Sequence, residues 1–354
     1  MNEFFEPVTV GKLDLPNRLF MAPMTRSRAV GGLVTELAAE YYAQRAGAGL
    51  IITEGIQPSV IGQGFIGTPG LHSPEQVAAW RRVTDAVHDR GGRIFAQLMH
   101  SGRVGHPCLY PDDALPVAPS AIASGEQIYT ADGLLDHPTP RELSEADIAA
   151  TVGDFVAAAR NAIEAGFDGV ELHGANGFLI HQFLCGSANA RTDAYGGSIA
   201  NRIRFAVEVV AAVSDAIGPE RVGLRISPRN PNNGIRERDS AELYDALVEA
   251  LAPIEPAYLH IMEWDRELTQ RIRAAWPGTL VLNPYAGEQQ STPDYAAAAL
   301  REGLADAVTL ARFWLANPDL VERVRAGGPY NPVDPATFYG GDHQGYTDYP
   351  RLEQ

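Results

Sequence analysis

Eight short apolar runs are spaced along the chain, at residues 19–22, 50–53, 93–98, 169–172, 222–226, 257–261, 279–282 and 306–310, with amphipathic stretches between them. Short, nearly continuous apolar runs read as strands buried on both faces, the pattern of a parallel sheet. The stretches between them read as helices with their own start and stop signals. In SPEQVAAWRRVTDAVHDRGG, Ser73 stands at the N-cap, Pro74 at the first helical position, Gln76 closes a capping box, and Gly91 is the stop. In LSEADIAATVGDFVAAARNAIEAGFDG, Ser144 and Asp147 mark the start, and Gly166 marks the end. Between them Ile148, Val152, Phe155, Ala159 and Ile163 recur at helical spacing. Strand–helix alternation predicts an α/β fold, and eight repeats predict a closed (β/α)₈ TIM barrel rather than an open sheet. The Pro- and Gly-rich interval 104–141, between strands 3 and 4, predicts a lid segment over one mouth. No linker sets off a second unit, so 1–354 reads as a single barrel domain.

Composition narrows the partners. A net charge of −16 opposes binding to nucleic acid or to an anionic membrane. No apolar run approaches the ~20 residues of a membrane span, and MNEFFEPVTVGKL lacks the layout of a signal peptide. Two cysteines, Cys108 and Cys185, support neither a disulfide framework nor CxxC zinc spacing. The expectation is a cytoplasmic protein, monomer or homodimer, acting on a small molecule. Lys12 is the only lysine and precedes the first core strand, so Schiff-base chemistry is not expected.

In such a barrel, chemistry sits at the C-terminal strand ends. Those ends carry Pro23, Met24 and Thr25; Glu54 and Gly55; Gln97; His100; His173 and Asn176; Arg225; His260; Tyr285, Ala286 and Gly287; and Ala311 with Arg312. This set is polar but hardly acidic, so no metal is expected. The alternative is convergence of His100, His173 and His260 on one ion; for His260 alone, a satisfied core histidine is the better reading. GQGFIG, at 62–67, matches the dinucleotide fingerprint in letters, but GTPGLHS intervenes before the helix at Pro74, so a glycine-rich loop near the mouth is expected instead. Loops after strands 7 and 8 commonly bind phosphate. Small residues at 286–287 and the Arg312 guanidinium suit one, and pairing of Arg312 with a surface carboxylate suits the same residues equally. The stretch VELHGANGFLIHQFL, 170–184, runs out of an apolar strand into two hydrogen-bonding side chains and then a bare aromatic ring.

HGANGFLIHQFLCGSANARTDAYGGSIANRIRF resembles the signature of the Old Yellow Enzyme family of flavin mononucleotide (FMN)-dependent ene-reductases. PNRLFMAPMTRSRA (16–29), GLHSPEQ (70–76), AQLMHSGR (96–103), LRISP (224–228), ARFWLANPDL (311–320) and FYGGDHQGYTDYP (338–350) agree in the same order. The resemblance implies a barrel holding one tightly bound, non-covalent FMN. It implies hydride from NAD(P)H, passed through flavin N5 to carbon–carbon double bonds conjugated to a carbonyl. Carried over by position, Thr25 would bond the flavin O4, with Pro23 and Met24 beside it. Gly55 would belong to the cofactor site, Gln97 would contact the pyrimidine end, and Arg225 would sit near N1 and O2. Gly287, Ala311 and Arg312 would hold the phosphate. His173 and Asn176 would donate hydrogen bonds to the substrate carbonyl.

Phe178 departs from the family, which usually carries a proton-donating tyrosine there. Phe65 and Met99, at substrate-facing positions, stand for Tyr and Trp. Asn283 with Pro284 replaces a more glycine-like approach to the phosphate loop, and Ala311 replaces Gly. The loop after Pro228 and the lid are shortened. These departures imply an altered pocket, suited to one biosynthetic substrate. The leading expectation is an ene-reductase using water or another proton donor. The alternatives are a redox-neutral flavin-dependent alkene isomerase, a non-catalytic flavin-binding protein and a metal-dependent barrel hydrolase.

Overall fold

The computed structural model describes residues 2–130, 133–285 and 291–352. Eight parallel strands close into a barrel: β1 (Leu19–Met21), β2 (Ile51–Ile56), β3 (Ile94–Leu98), β4 (Gly169–Gly174), β5 (Val222–Ile226), β6 (Tyr258–Met262), β7 (Leu280–Asn283) and β8 (Ala307–Leu310). Closure is made by β8 on β1, with Val308 opposite Leu19 and Leu310 opposite Met21. The barrel the strand–helix alternation predicts is the one observed. Around it lie α1 (Glu36–Gln44), α2 (Pro74–His88), α3 (Glu145–Glu164), α4 (Ile199–Ile217), α5 (Ser240–Leu251), α6 (Arg266–Ala275), α7 (Pro293–Arg301) and α8 (Leu320–Ala326). Both expected capping boxes form. Ser73 Oγ accepts from the Gln76 amide at 3.3 Å and Gln76 Oε1 from the Ser73 amide at 3.1 Å. Ser144 Oγ accepts from the Asp147 amide at 3.1 Å, and Asp147 accepts from the Ser144 amide at 2.9 Å.

The two-residue period of each strand sorts its side chains into two cores. Outward-facing Leu19, Met21, Ile94, Leu98, Val170 and Leu172 pack with Tyr41, Trp80, Val83 and Phe155 of the helical shell. Inward-facing Phe20, Ile52, Phe95, Tyr258, Val281 and Ala307 form a second cluster, joined by Val10 and Leu15 of an antiparallel hairpin (Val8–Val10 with Leu13–Leu15). The lower barrel interior is therefore apolar and closed by the hairpin. Inward positions nearer the C-terminal ends are polar, and these build the site.

Two irregularities shape the mouth. The β2–β3 register shifts between Ile52 and Gly55, and Thr53 Oγ1 accepts the Gln97 amide at 3.0 Å within the slip. The 104–141 connection carries more regular structure than Pro- and Gly-rich turns. Val117–Ala118 pairs in parallel with Arg141–Glu142, and Gln127–Thr130 forms a hairpin with Gly133–Asp136.

Candidate active site

A buried polar ladder fills the upper barrel. Glu171, on β4, accepts from Gln97 Nε2 at 2.8 Å, Tyr258 Oη at 3.0 Å and His260 Nδ1 at 2.8 Å. Burial pushes the Glu171 carboxyl up; the facing His260, Arg225 and Gln97 overcome this and hold it below its ordinary value. Burial keeps His260 below its ordinary value against the pull of Glu171. The pair is thus an ionised carboxylate with a neutral imidazole, whose Nε2 accepts from Thr309 Oγ1 at 3.1 Å. His260 is a satisfied core histidine. Each histidine of the metal alternative is held by a different neighbour: His100 Nδ1 accepts from the Gly102 amide and His173 Nδ1 from the Ala175 amide.

Arg225 sits two residues above the level of Glu171, between His173 on β4 and His260 on β6 in register. Its Nη2 donates to Asn283 Oδ1 at 3.1 Å, and Asn283 Nδ2 donates to the Thr309 carbonyl at 3.1 Å. Arg225 Nε is buried and has no partner among the described residues. A guanidinium N–H shut away from water without an acceptor is costly. That donor fits a bound group presenting an electron-rich heteroatom at the barrel mouth, as the edge of an isoalloxazine ring would.

His173 and Asn176 are fixed as donors. Because the Ala175 amide donates to His173 Nδ1 at 3.3 Å, the neutral ring carries its proton on Nε2. Burial, then the Arg225 guanidinium and the nearby His181 and His260 rings, hold His173 well below its ordinary value, so the ring is neutral. Asn176 stands at φ 56°. Its amide N–H donates to Ser227 Oγ at 2.8 Å, and its carbonyl accepts from Asn233 Nδ2 at 2.7 Å. Asn230 Nδ2 donates to Asn176 Oδ1 at 3.0 Å, which leaves the Asn176 amide nitrogen as the donor end. Gly177 follows at φ 76°, where a Cβ would stand 2.6 Å from the Asn232 carbonyl oxygen; only glycine makes this turn.

Phe178 caps the short helix Leu179–Leu184, its ring edge-on to His173 at 4.9 Å and to Phe65 at 6.1 Å. Met99 and Val104 complete this apolar wall. Gly55 makes room for Met99, whose Sδ would lie 2.7 Å from a Cβ there. Tyr110 reaches the same side, but its hydroxyl donates to the Gln63 carbonyl at 2.6 Å and burial pushes the phenol up. The 62–67 glycine stretch is the loop that carries Phe65, with no helix opening from it.

Pro23, Met24 and Thr25 are half-buried on the loop leaving β1, which the Ala22 amide ties to the Leu310 carbonyl. Ala311 starts the turn after β8. Arg312 is exposed, forms no ion pair among the described residues, and lies 6.0 Å above the Phe338 ring. Gly287 lies outside the described residues. Sequence reasoning did not find Glu171, Tyr258, Thr309, Ser227, Asn230 or Asn233. Glu171 and Thr309 were open to discovery, since each is a lone polar residue inside an apolar run.

A family model described as the NADH:flavin oxidoreductase / NADH oxidase family matches residues 3–331. The chain is 44% identical to a probable flavin mononucleotide-dependent alkene reductase of Leishmania infantum, over 98% of this chain and 96% of that protein. It is 40% identical to 12-oxophytodienoate reductase 7 of Oryza sativa subsp. japonica, over 99% and 95%. Among solved structures it is similar to morphinone reductase in complex with tetrahydroNAD (TM-score 0.94, 43% identity, 99% and 98% coverage). It is also similar to the old yellow enzyme homologue of Zymomonas mobilis (TM-score 0.94, 39% identity, 99% of both chains).

Proposed function

The chain belongs to the NADH:flavin oxidoreductase / NADH oxidase family, and from that premise we propose an FMN-dependent ene-reductase acting on alkenes conjugated to a carbonyl. Relatives named as alkene, 12-oxophytodienoate and morphinone reductases support the reaction class. The observation that carries the reading is the juxtaposition of two fixed neutral donors with a buried guanidinium whose Nε has no partner among the described residues. Arg225, with Gln97, Thr25, Pro23, Met24 and Gly55, would hold FMN non-covalently at the ring, and Gly287, Ala311 and Arg312 at the phosphate. When bound, FMN supplies hydride transfer from a nicotinamide cofactor to the alkene.

The chain's own residues do the rest. His173 Nε2–H and the Asn176 amide nitrogen donate to the carbonyl oxygen of the substrate. Their hydrogen bonds strengthen as negative charge gathers on that oxygen, so they lower the barrier more than they tighten binding. Phe178, in the position where the family carries a tyrosine, holds the ring volume and keeps water from the alkene face. It has no proton to give, so the α-carbon takes its proton from a donor other than residue 178, either another side chain or a water admitted after hydride transfer. The whole chain acts as one barrel unit. Nothing in the site favours the redox-neutral isomerase over reduction.

The test is anaerobic incubation of the FMN-loaded protein with a panel of unsaturated carbonyl compounds, with and without nicotinamide cofactor. Saturated product that forms only with the nicotinamide is expected. Isomerised product formed without it would replace the reductase by the isomerase, and stoichiometric zinc without flavin absorbance would remove both.

A further inference from the structure

We propose that Glu54 and Arg26 are positioning residues that make the C-terminal segment 337–346 a working part of the cofactor cradle. This rests on the FMN reading above. The family model ends at residue 331, before the segment begins.

Glu54 lies in β2 at the register slip, almost fully buried. Its Oε2 accepts the amide of Arg26 at 3.3 Å, the residue next to Thr25. Its own amide donates to Tyr42 Oη at 3.0 Å, which anchors this position to α1. From the same loop the Arg26 guanidinium, 1% exposed, donates to the carbonyls of Phe338 at 3.0 Å, Thr337 at 3.2 Å and Gly345 at 2.8 Å. The Gly340 amide returns a bond to the Arg26 carbonyl at 2.9 Å. Arg28 adds bonds to the carbonyls of Asp342 at 3.1 Å, Thr337 at 3.0 Å and Gln344 at 3.2 Å. Tyr346 is buried beneath both cations, 5.0 Å and 4.4 Å from them, and its ring stacks on Tyr41 at 4.2 Å.

Beyond its own short turns, such as the Tyr346 amide on the His343 carbonyl at 3.1 Å, the segment is held by side-chain donors from the 23–28 loop. Its order depends on where the 23–28 loop sits, and by reciprocity the loop's position depends on it. The far end of the connection is Phe338, whose ring underlies Arg312. The segment thus touches both proposed ends of the cofactor site, the Thr25 loop and the phosphate cation. Burial raises the Glu54 carboxyl to about 7, against the Arg26 amide and the charges of Arg26 and Arg28. A group that is partly neutral at neutral pH serves here through its accepting oxygen, which a glutamine also offers.

The experiment compares FMN release and hydrogen–deuterium exchange of 23–30 and 337–346 in the FMN-loaded wild type, Glu54→Ala, Glu54→Gln and Gly345→Ala. Gly345 stands at φ +62°, with Thr337 Oγ1 1.8 Å from any added Cβ, so alanine there disturbs the segment from within it rather than from β2. Glu54→Ala and Gly345→Ala are each expected to release FMN roughly tenfold faster, with faster exchange in both segments. Glu54→Gln should restore wild-type behaviour. Wild-type release from Glu54→Ala and Gly345→Ala, or Glu54→Gln as loose as Glu54→Ala, would overturn the proposal. If Glu54→Ala does not fold, Gly345→Ala decides it. A wild type that binds no FMN would fail the functional reading instead.

Discussion

The half of the barrel mouth built by β4 and β5 and the half built by β7 and β8 hold their polar groups in different ways. On the first side both donors proposed for the substrate carbonyl, His173 and Asn176, are locked by neighbours. The Ala175 amide sets the His173 tautomer, and Ser227, Asn230 and Asn233 hold Asn176 from three directions. The Gly177 amide donates to His181 Nδ1, whose Nε2 faces Glu237 at 2.7 Å. Despite burial, the hydrogen bonds from His181, the Arg229 amide and Tyr244 take Glu237 down to about 2. On the second side Asn283 is bonded, but Arg312 is exposed and, among the described residues, has only the Phe338 ring beside it. The difference suits the proposed loads. A charge that exists only in a transition state needs donors already aimed, because reorganising them at that moment would raise the barrier. A permanently bound phosphate can organise its own cation.

The sharpest way to break this comparison is the double variant His173→Ala with Asn176→Ala. Loss of ~10²-fold or more in the rate of alkene reduction is expected, with FMN retained, and stopped-flow measurement of the oxidative half-reaction checks it. Phenolic ligands should give a long-wavelength charge-transfer band with the FMN-loaded wild type and lose it in the double variant. A band unchanged in the double variant would mean the locked side does not stabilise an oxyanion.

Phe178→Tyr comes next. A placed general acid contributes ~10²–10⁴-fold in favourable cases, so net saturation of simple enones should rise at least ~10-fold. The ring already fills the required volume, and thermal unfolding should be little changed. Equal yields of saturated product from variant and wild type, with hydride transfer unaffected, would show that another group delivers the proton.

Acid should act beside the locked side, where the Leu179 amide donates to the His100 carbonyl at 2.9 Å. His100, at the end of β3, is held at about 3 by burial alone, far below the ordinary ~6.5. The unfolded chain therefore binds a proton in this window that the folded chain refuses. Stability rises with pH from about 3 to about 6.5, and is lost as pH falls through that window by ~1.4 kcal/mol per unit at most. Urea midpoints between pH 4 and 7 should show this slope, reduced in His100→Gln. The smallest effect is expected on the other half. Arg312→Ala should weaken FMN retention ~10-fold or less, a ratio that equilibrium dialysis would give, and leave His173-dependent chemistry intact.

Much of this site was legible in the chain. His173, Asn176, Gln97 and Arg225 stand out as polar residues where apolar strand runs end, and barrels place chemistry there. The two capping boxes and the eight runs fixed the helices and strands because these are local signals, read within four to twenty residues. Glu171 and Thr309 were missed because a single polar residue inside an apolar run has no local partner to explain it. Glu171 makes sense only beside Tyr258 and His260, and Thr309 only beside His260, all far away in sequence. Asn283 looked like a misfit before a phosphate loop; in the fold it is the acceptor that orients Arg225.

By itself, the order of apolar runs and caps determined the closed barrel, since period-2 strands joined by period-3.6 helices have few other ways to bury both faces. The signature stretches determined the family. Which donor each amide presents, which histidine stays neutral, and which tail carbonyls receive Arg26 were decided only by the tertiary structure. Those properties depend on burial and on partners brought together from distant positions, and both come into being when the barrel closes.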